Sequence, residues 1–124
     1  MTYTRLNPED SGWKTLTLAS NAQAYDSNSA PRYRKIGSTV FLDGKAKPKE
    51  EVAAGDTLLI GTLPSGYRPE REHISIMQGS SQAIWMLRVY TDGNVSAQRY
   101  RNGATAAAMP TTAWLPVSAE FAVG

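Results

Sequence analysis

The chain reads as one all-β domain, an antiparallel β-sandwich or jelly-roll-like barrel. Three observations predict this. Its 10 glycines and 7 prolines recur along the whole length and leave only short runs between them. No segment carries apolar residues at i, i+3, i+4 and i+7 over three turns, the pattern of a core-facing helix. Asp92-Gly93 lies between two alternating runs, a strong short-range hairpin signal.

Taken in order, the strands are expected as follows. Trp13 to Leu18 places Leu16 and Leu18 on one face. Arg32 to Ile36 alternates Tyr33 against Arg34, and Thr39 to Lys45 alternates through Val40 and Leu42. Thr57 to Thr62 is short and apolar and runs into the turn Pro64-Ser65-Gly66. His73 to Met77 carries Ile74 and Ile76 in alternation. Ile84 to Tyr90 and Asn94 to Tyr100 form the hairpin arms, and Trp114 to Phe121 closes the domain. Lys47 to Ala54, bracketed by Pro48 and Gly55, holds one helical turn at most, and Ala104 to Ala108 is expected to be a loop. Roughly seven or eight such strands bury their apolar faces most simply in two stacked sheets. On the first hairpin arm, Trp85, Leu87 and Val89 share one face while Ile84, Met86, Arg88 and Tyr90 share the other. Both faces carry apolar residues, so this strand is covered on both sides or meets another subunit.

With 124 residues the chain is long enough for a real core. The 13 basic and 11 acidic residues leave a net charge of +2, too little to predict a nucleic-acid partner. Absence of cysteine excludes disulfides and thiolate metal sites. No apolar run approaches the 18 or so residues of a membrane-spanning helix, and no secretion signal is expected at the N-terminus.

Catalytic chemistry finds little support. His73 is the single histidine, so a His–His metal pair is impossible and any triad must use it. No nucleophile elbow, phosphate loop or dinucleotide fingerprint is present. Asp43, Asp56 and Asp92 neighbour glycines in turns, where aspartate's own turn chemistry accounts for them. The calcium-loop spacing is missing as well. The expectation is a non-enzymatic domain with no cofactor and no metal.

Pro64 fixes φ and Gly66 tolerates positive φ, so Leu63 to Pro69 is expected to be a sheet-to-sheet corner with Leu63 and Tyr67 turned inward. This segment belongs to a longer order: Tyr33-Arg34-Lys35-Ile36-Gly37, Val40-Phe41-Leu42-Asp43-Gly44, Gly61 to Pro69, Tyr90 to Val95, and Trp114-Leu115-Pro116-Val117. That order resembles the C-terminal head domains of phage tail-fibre and baseplate receptor-binding proteins, particularly those of phages infecting Gram-positive bacteria. The resemblance runs from Trp13 onward. It implies a β-sandwich head at the tip of a virion tail or baseplate, assembled as a homotrimer and binding host cell-wall polysaccharide or another surface glycan. It also implies that residues 1–12 connect to an upstream stalk or phage protein and that residues 13–124 form the head. A structural fibre or baseplate module without sugar affinity is the alternative. A glycan hydrolase or esterase working through His73 or a carboxylate, and an unrelated lectin-like domain, are further readings.

Sugars are held by aromatic faces against their C–H surfaces and by planar polar groups on their hydroxyls, often in repeated shallow sites. On this ground the saccharide candidates are His73, Gln82, Trp85, Arg88, Gln98, Arg99, Tyr100 and Arg101, with the loops Gln78 to Gln82 and Asn102 to Thr105 as a rim. For Trp85 the core or a subunit interface is the competing assignment, and for the arginines solvent or a neighbouring chain.

Overall fold

The computed structural model describes residues 9–124, and among these every regular element is a β-strand. In chain order these are β1 (Lys14–Thr15), β2 (Thr17–Leu18), β3 (Ala22–Ala24), β4 (Arg32–Ile36), β5 (Thr39–Asp43), β6 (Lys45–Pro48) and β7 (Leu58–Thr62). There follow β8 (His73–Gln78), β9 (Ala83–Val89), β10 (Asn94–Asn102), β11 (Thr105–Ala106), β12 (Leu115–Pro116) and β13 (Ala119–Ala122). They form a four-stranded sheet in the order β1-β4-β5-β13, a six-stranded sheet β2-β7-β10-β9-β8 with β11 added to β10, and a small sheet β12-β6-β3. All strand pairs are antiparallel.

Two expected strands are bent, and each bend has a physical cause. Trp13 to Leu18 splits at Leu16: β1 pairs with β4 in one sheet and β2 with β7 in the other. Leu16 is fully buried between them, and its amide donates to the Pro31 carbonyl at 2.9 Å. The gain from burying one leucine favours this corner over a straight strand. The run Thr39 to Lys45 breaks at Gly44, which has φ +128° and abuts Pro31, so that a Cβ there would lie 2.6 Å from the Pro31 Cα. β5 and β6 are the two halves of this bent strand, and β13 and β12 follow the same bend opposite them. Lys47 and Pro48 of β6 and Thr105–Ala106, expected to be one turn and a loop, are strand, as is Ala22–Ala24, for which the sequence suggests no element. β3 and β6 pair with each other across more than twenty residues, and β11 folds back on the end of β10.

The inner faces share one core. Tyr33, Val40, Leu42 and Phe121 come from the four-stranded sheet; Leu58, Ile60, Trp85, Leu87, Val89, Val95 and Ala97 come from the six-stranded sheet; Ala46 and Leu115 come from the small one. The Leu63–Pro69 corner packs as its sequence suggests. Leu63 is fully buried, and the Tyr67 ring meets Tyr33 edge-on at 4.9 Å. Its partner is the hairpin tip: the Leu63 amide donates to the Gly93 carbonyl at 2.8 Å, and Arg68 Nε donates to the Leu63 carbonyl at 3.1 Å.

Of the expected connector, residues 1–8 lie outside the described residues. Glu9 to Gly12 run beside β4, with the Gly37 amide donating to the Glu9 carbonyl at 2.8 Å and the Ser11 amide to the Lys35 carbonyl at 2.9 Å. Arg34 and Asp10 form an ion pair here. The Arg34 guanidinium, and then the Gly12 amide, hold the Asp10 carboxyl down to about 2 from its ordinary 3.8. The folded chain therefore takes this proton only well below the pH at which the unfolded chain takes it. The contribution is complete above 3.8 and is lost as pH falls through about 2. At about pH 3 the Ser11 and Gly37 amides are expected to remain protected from hydrogen exchange in the wild type and to lose protection in Asp10→Asn.

Candidate functional site

The eight residues singled out in the sequence do not form one site. Trp85 and Tyr100 are 1% and 7% exposed, so neither offers a ring face to a ligand. Trp85 follows from the alternation of β9. Tyr100 is turned inward by a bulge: between Gln98↔Met86 and Arg101↔Ile84 the register slips, with Arg99 at φ +54°. The extra residue sends Tyr100 into the core and returns Arg101 to the outer face. His73 lies on edge strand β8, near the Phe121 ring at 6.0 Å. Gln82 sits exposed in the β8–β9 loop, where its carbonyl accepts from the Gly103 amide at 3.2 Å.

Arg88 and Gln98 do come together, on the outer face of the six-stranded sheet. Arg88 Nε donates to the Glu72 carboxylate, the guanidinium lies 4.9 Å from the Tyr90 ring centre, and Gln98 Nε2 donates to the Tyr90 hydroxyl at 2.7 Å. The Glu72 carboxylate holds the Arg88 pKa above its ordinary value. These groups satisfy one another. The same face carries Ile74 and Ile76, exposed by 50% and 68%, with Ile76 directly opposite Met86. Arg99 and Arg101 border two hollows of about 110 and 280 Å³, neither lined by an exposed aromatic ring. Both fall below the size usual for small-molecule sites, about 300–1,000 Å³.

A larger depression lies on the other sheet. The outer face of β1, β4, β5 and β13 forms an open groove of about 600 Å³. Trp13, Arg32, Arg34, Phe41, Asp43 and Glu120 line it. The Arg32 guanidinium lies 4.1 Å from the Trp13 ring centre and donates from Nε to Asp43 at 2.9 Å. Arg34 stands 5.6 Å from the same ring and holds Asp10. None of these residues is among the eight saccharide candidates, although the sequence carries a signal for them. Trp13 is out of phase with buried Leu16, and Arg32, Arg34, Phe41 and Asp43 each alternate with a core residue.

No family model matches the chain. No curated protein matches it either. Among solved structures, it is similar to the head domain of the lactococcal phage bIL170, described in connection with a common fold for the receptor-binding domains of lactococcal phages. The TM-score is 0.63 over 90% of this chain and 97% of that one, at 14% sequence identity. The chain has the phage head-domain fold.

Within this head-domain fold, His73 Nε2 lies 2.9 Å from the Ser75 hydroxyl, and burial pushes the imidazole pKa down. The pair resembles part of a hydrolytic dyad. Among the described residues, however, no carboxylate bonds the other ring nitrogen to orient it, as such chemistry requires. Among the described residues no three metal-ligating side chains converge.

Proposed function

We propose that this domain is the receptor-binding head of a phage tail fibre or baseplate, that it recognises polysaccharide or another glycan on the host surface without catalysis, and that it works as a homotrimer. The observation that carries the reading is the match, along nearly the whole length of both chains, to the head domain of phage bIL170. A head of this kind is made in the host cytoplasm, sits at the tail tip or baseplate of the virion, and is joined through its N-terminal residues to upstream phage proteins.

Ile74 and Ile76 support the self-association. Two isoleucines standing in water on an edge strand, with Met86 beside them, mark a surface that another chain covers. Sister copies seated on this face would place Arg88, Arg99 and Arg101 near the subunit boundary. Light scattering at micromolar concentration is expected to give a trimer for the wild type and a folded monomer for Ile76→Lys. The substitution is at an exposed site, so the monomer's own stability should change by less than about 0.5 kcal/mol. A monomeric wild type would sink the assembly. Binding of the trimer to purified host envelope polysaccharide tests recognition. If the trimer binds no surface glycan but co-purifies with a particle subunit, the domain is a structural module instead.

A further inference from the structure

We infer that the groove at Trp13 is a sugar site, and that it takes an uncharged pyranose within an extended glycan. The inference rests on the glycan-binding reading and locates that activity on the four-stranded sheet.

The apolar part of the groove is built from Ile36 and Phe41, on the outer face of the four-stranded sheet, and from Trp13, just before its first strand. Such a surface accepts the C–H face of a sugar ring. Around it stand groups of both hydrogen-bonding signs. Arg32 spends its Nε on Asp43, and Arg34 spends Nε and one terminal nitrogen on Asp10, which leaves further N–H donors on both forks. The Glu120 carboxylate, on the strand at the other edge of the sheet, has no hydrogen-bond partner among the described residues and offers acceptor positions there. A sugar hydroxyl donates and accepts at once, so it is matched by this mixture.

Charge decides against an anionic ligand. Among the described residues the two guanidiniums face three carboxylates, those of Asp10, Asp43 and Glu120, so these groups do not make a positive site. A phosphate or uronate placed there would meet cations already neutralised and a like charge beside them. The groove also continues on two sides. A hollow of about 270 Å³ shares Arg32 and Asp43 and is lined by Ser27, Asn28 and Ser29. Another of about 280 Å³ shares Glu120 and leads to Glu72 and His73. A track of this extent fits several linked residues of a polymer, with the central one stacked at Trp13.

The test is NMR titration of the labelled, full-length domain with methyl glucoside, methyl galactoside, methyl rhamnoside, N-acetylglucosamine and glucose 1-phosphate. Millimolar concentrations suit a shallow site that gains strength by repetition. At least one uncharged sugar is expected to shift the Trp13 indole and Arg34 side-chain signals, and to bind at least fivefold tighter than glucose 1-phosphate. Trp13→Ala should weaken that binding at least tenfold while the near-ultraviolet spectrum of buried Trp85 is retained. Equal or tighter binding of glucose 1-phosphate overturns the choice of ligand. Shifts confined to Gln82, Arg99 and Arg101 overturn the location and leave the glycan reading standing. If no sugar moves any signal, the groove assignment falls; the wider reading falls with it only if host polysaccharide also fails to bind the domain.

Discussion

Trp85→Ala is expected to be the most damaging single substitution, costing about 3–5 kcal/mol. Trp85 is the largest side chain in the core and is 1% exposed, on the strand at the centre of the β8-β9-β10 ladder. Leu87, the next inward residue of the same strand, and Met77, paired with Trp85 on β8, are held by their own ladders and cannot close the void. A domain of this size has about 5–15 kcal/mol of stability in all, so the variant sits close to its unfolding threshold. Thermal melting should show a fall in Tm on the order of 10–20 °C. Trp85→Phe behaves differently. The indole Nε1–H is buried without a partner among the described residues, and an unpaired buried donor costs about 1–3 kcal/mol. Phenylalanine removes that donor along with some volume, so the two effects oppose. A net change within about 1 kcal/mol is expected. If Trp85→Ala melts within a few degrees of the wild type, the tryptophan is not a core residue.

Gly93→Ala should cost at least about 2 kcal/mol, more than an exposed turn substitution normally does. Gly93 has φ +94°, and a Cβ there would stand 2.4 Å from the Leu63 carbonyl oxygen and 2.8 Å from Arg68 Nε. Two penalties therefore act together, one conformational and one steric. Gly93→Asn separates them, since asparagine tolerates positive φ better than alanine but still carries the Cβ. Urea unfolding is expected to find both variants similarly destabilised. A full rescue by asparagine would mean that the close approach to Leu63 is not rigid.

Arg32 to Ile36 was legible because one face meets the core and the other meets water. The hairpin was legible from its Asp-Gly turn, since Met86 and Ser96 are buried on its outer face as well. His73 to Met77 was legible as a strand but not in its facing, because Ile74 and Ile76 stand outward. The pieces at Ala22, Lys45 and Thr105 were not legible. They are two to four residues long; β3 and β6 pair with each other across more than twenty residues, and β11 is a two-residue return onto the end of β10, too short to show an alternation. The corner at Leu16 was hidden for a related reason: a straight strand and a strand that changes sheets share the same alternation. The candidate site was less legible still. The richest polar and aromatic stretch of the sequence lies around β9 and β10, where simple alternation buries Trp85 and a one-residue bulge buries Tyr100. The groove draws on β4, β5, β13 and the residue just before β1, whose contributions, from Trp13 to Glu120, span more than a hundred residues and meet only in the folded sheet.

The contact between the hairpin tip and the Leu63–Pro69 corner limits where this domain can vary. Tips of hairpins are ordinarily the cheapest places to insert or randomise residues. Here the tip is held from below by a main-chain bond and lies against a neighbouring carbonyl, so longer or bulkier versions would pry open the junction between sheets. On the proposed receptor-binding reading, retargeting the domain to a new host, by evolution or in a library, would work through the exposed Ser81–Gln82 and Asn102–Ala104 turns and the open face around Trp13, leaving Asp92-Gly93 as it is.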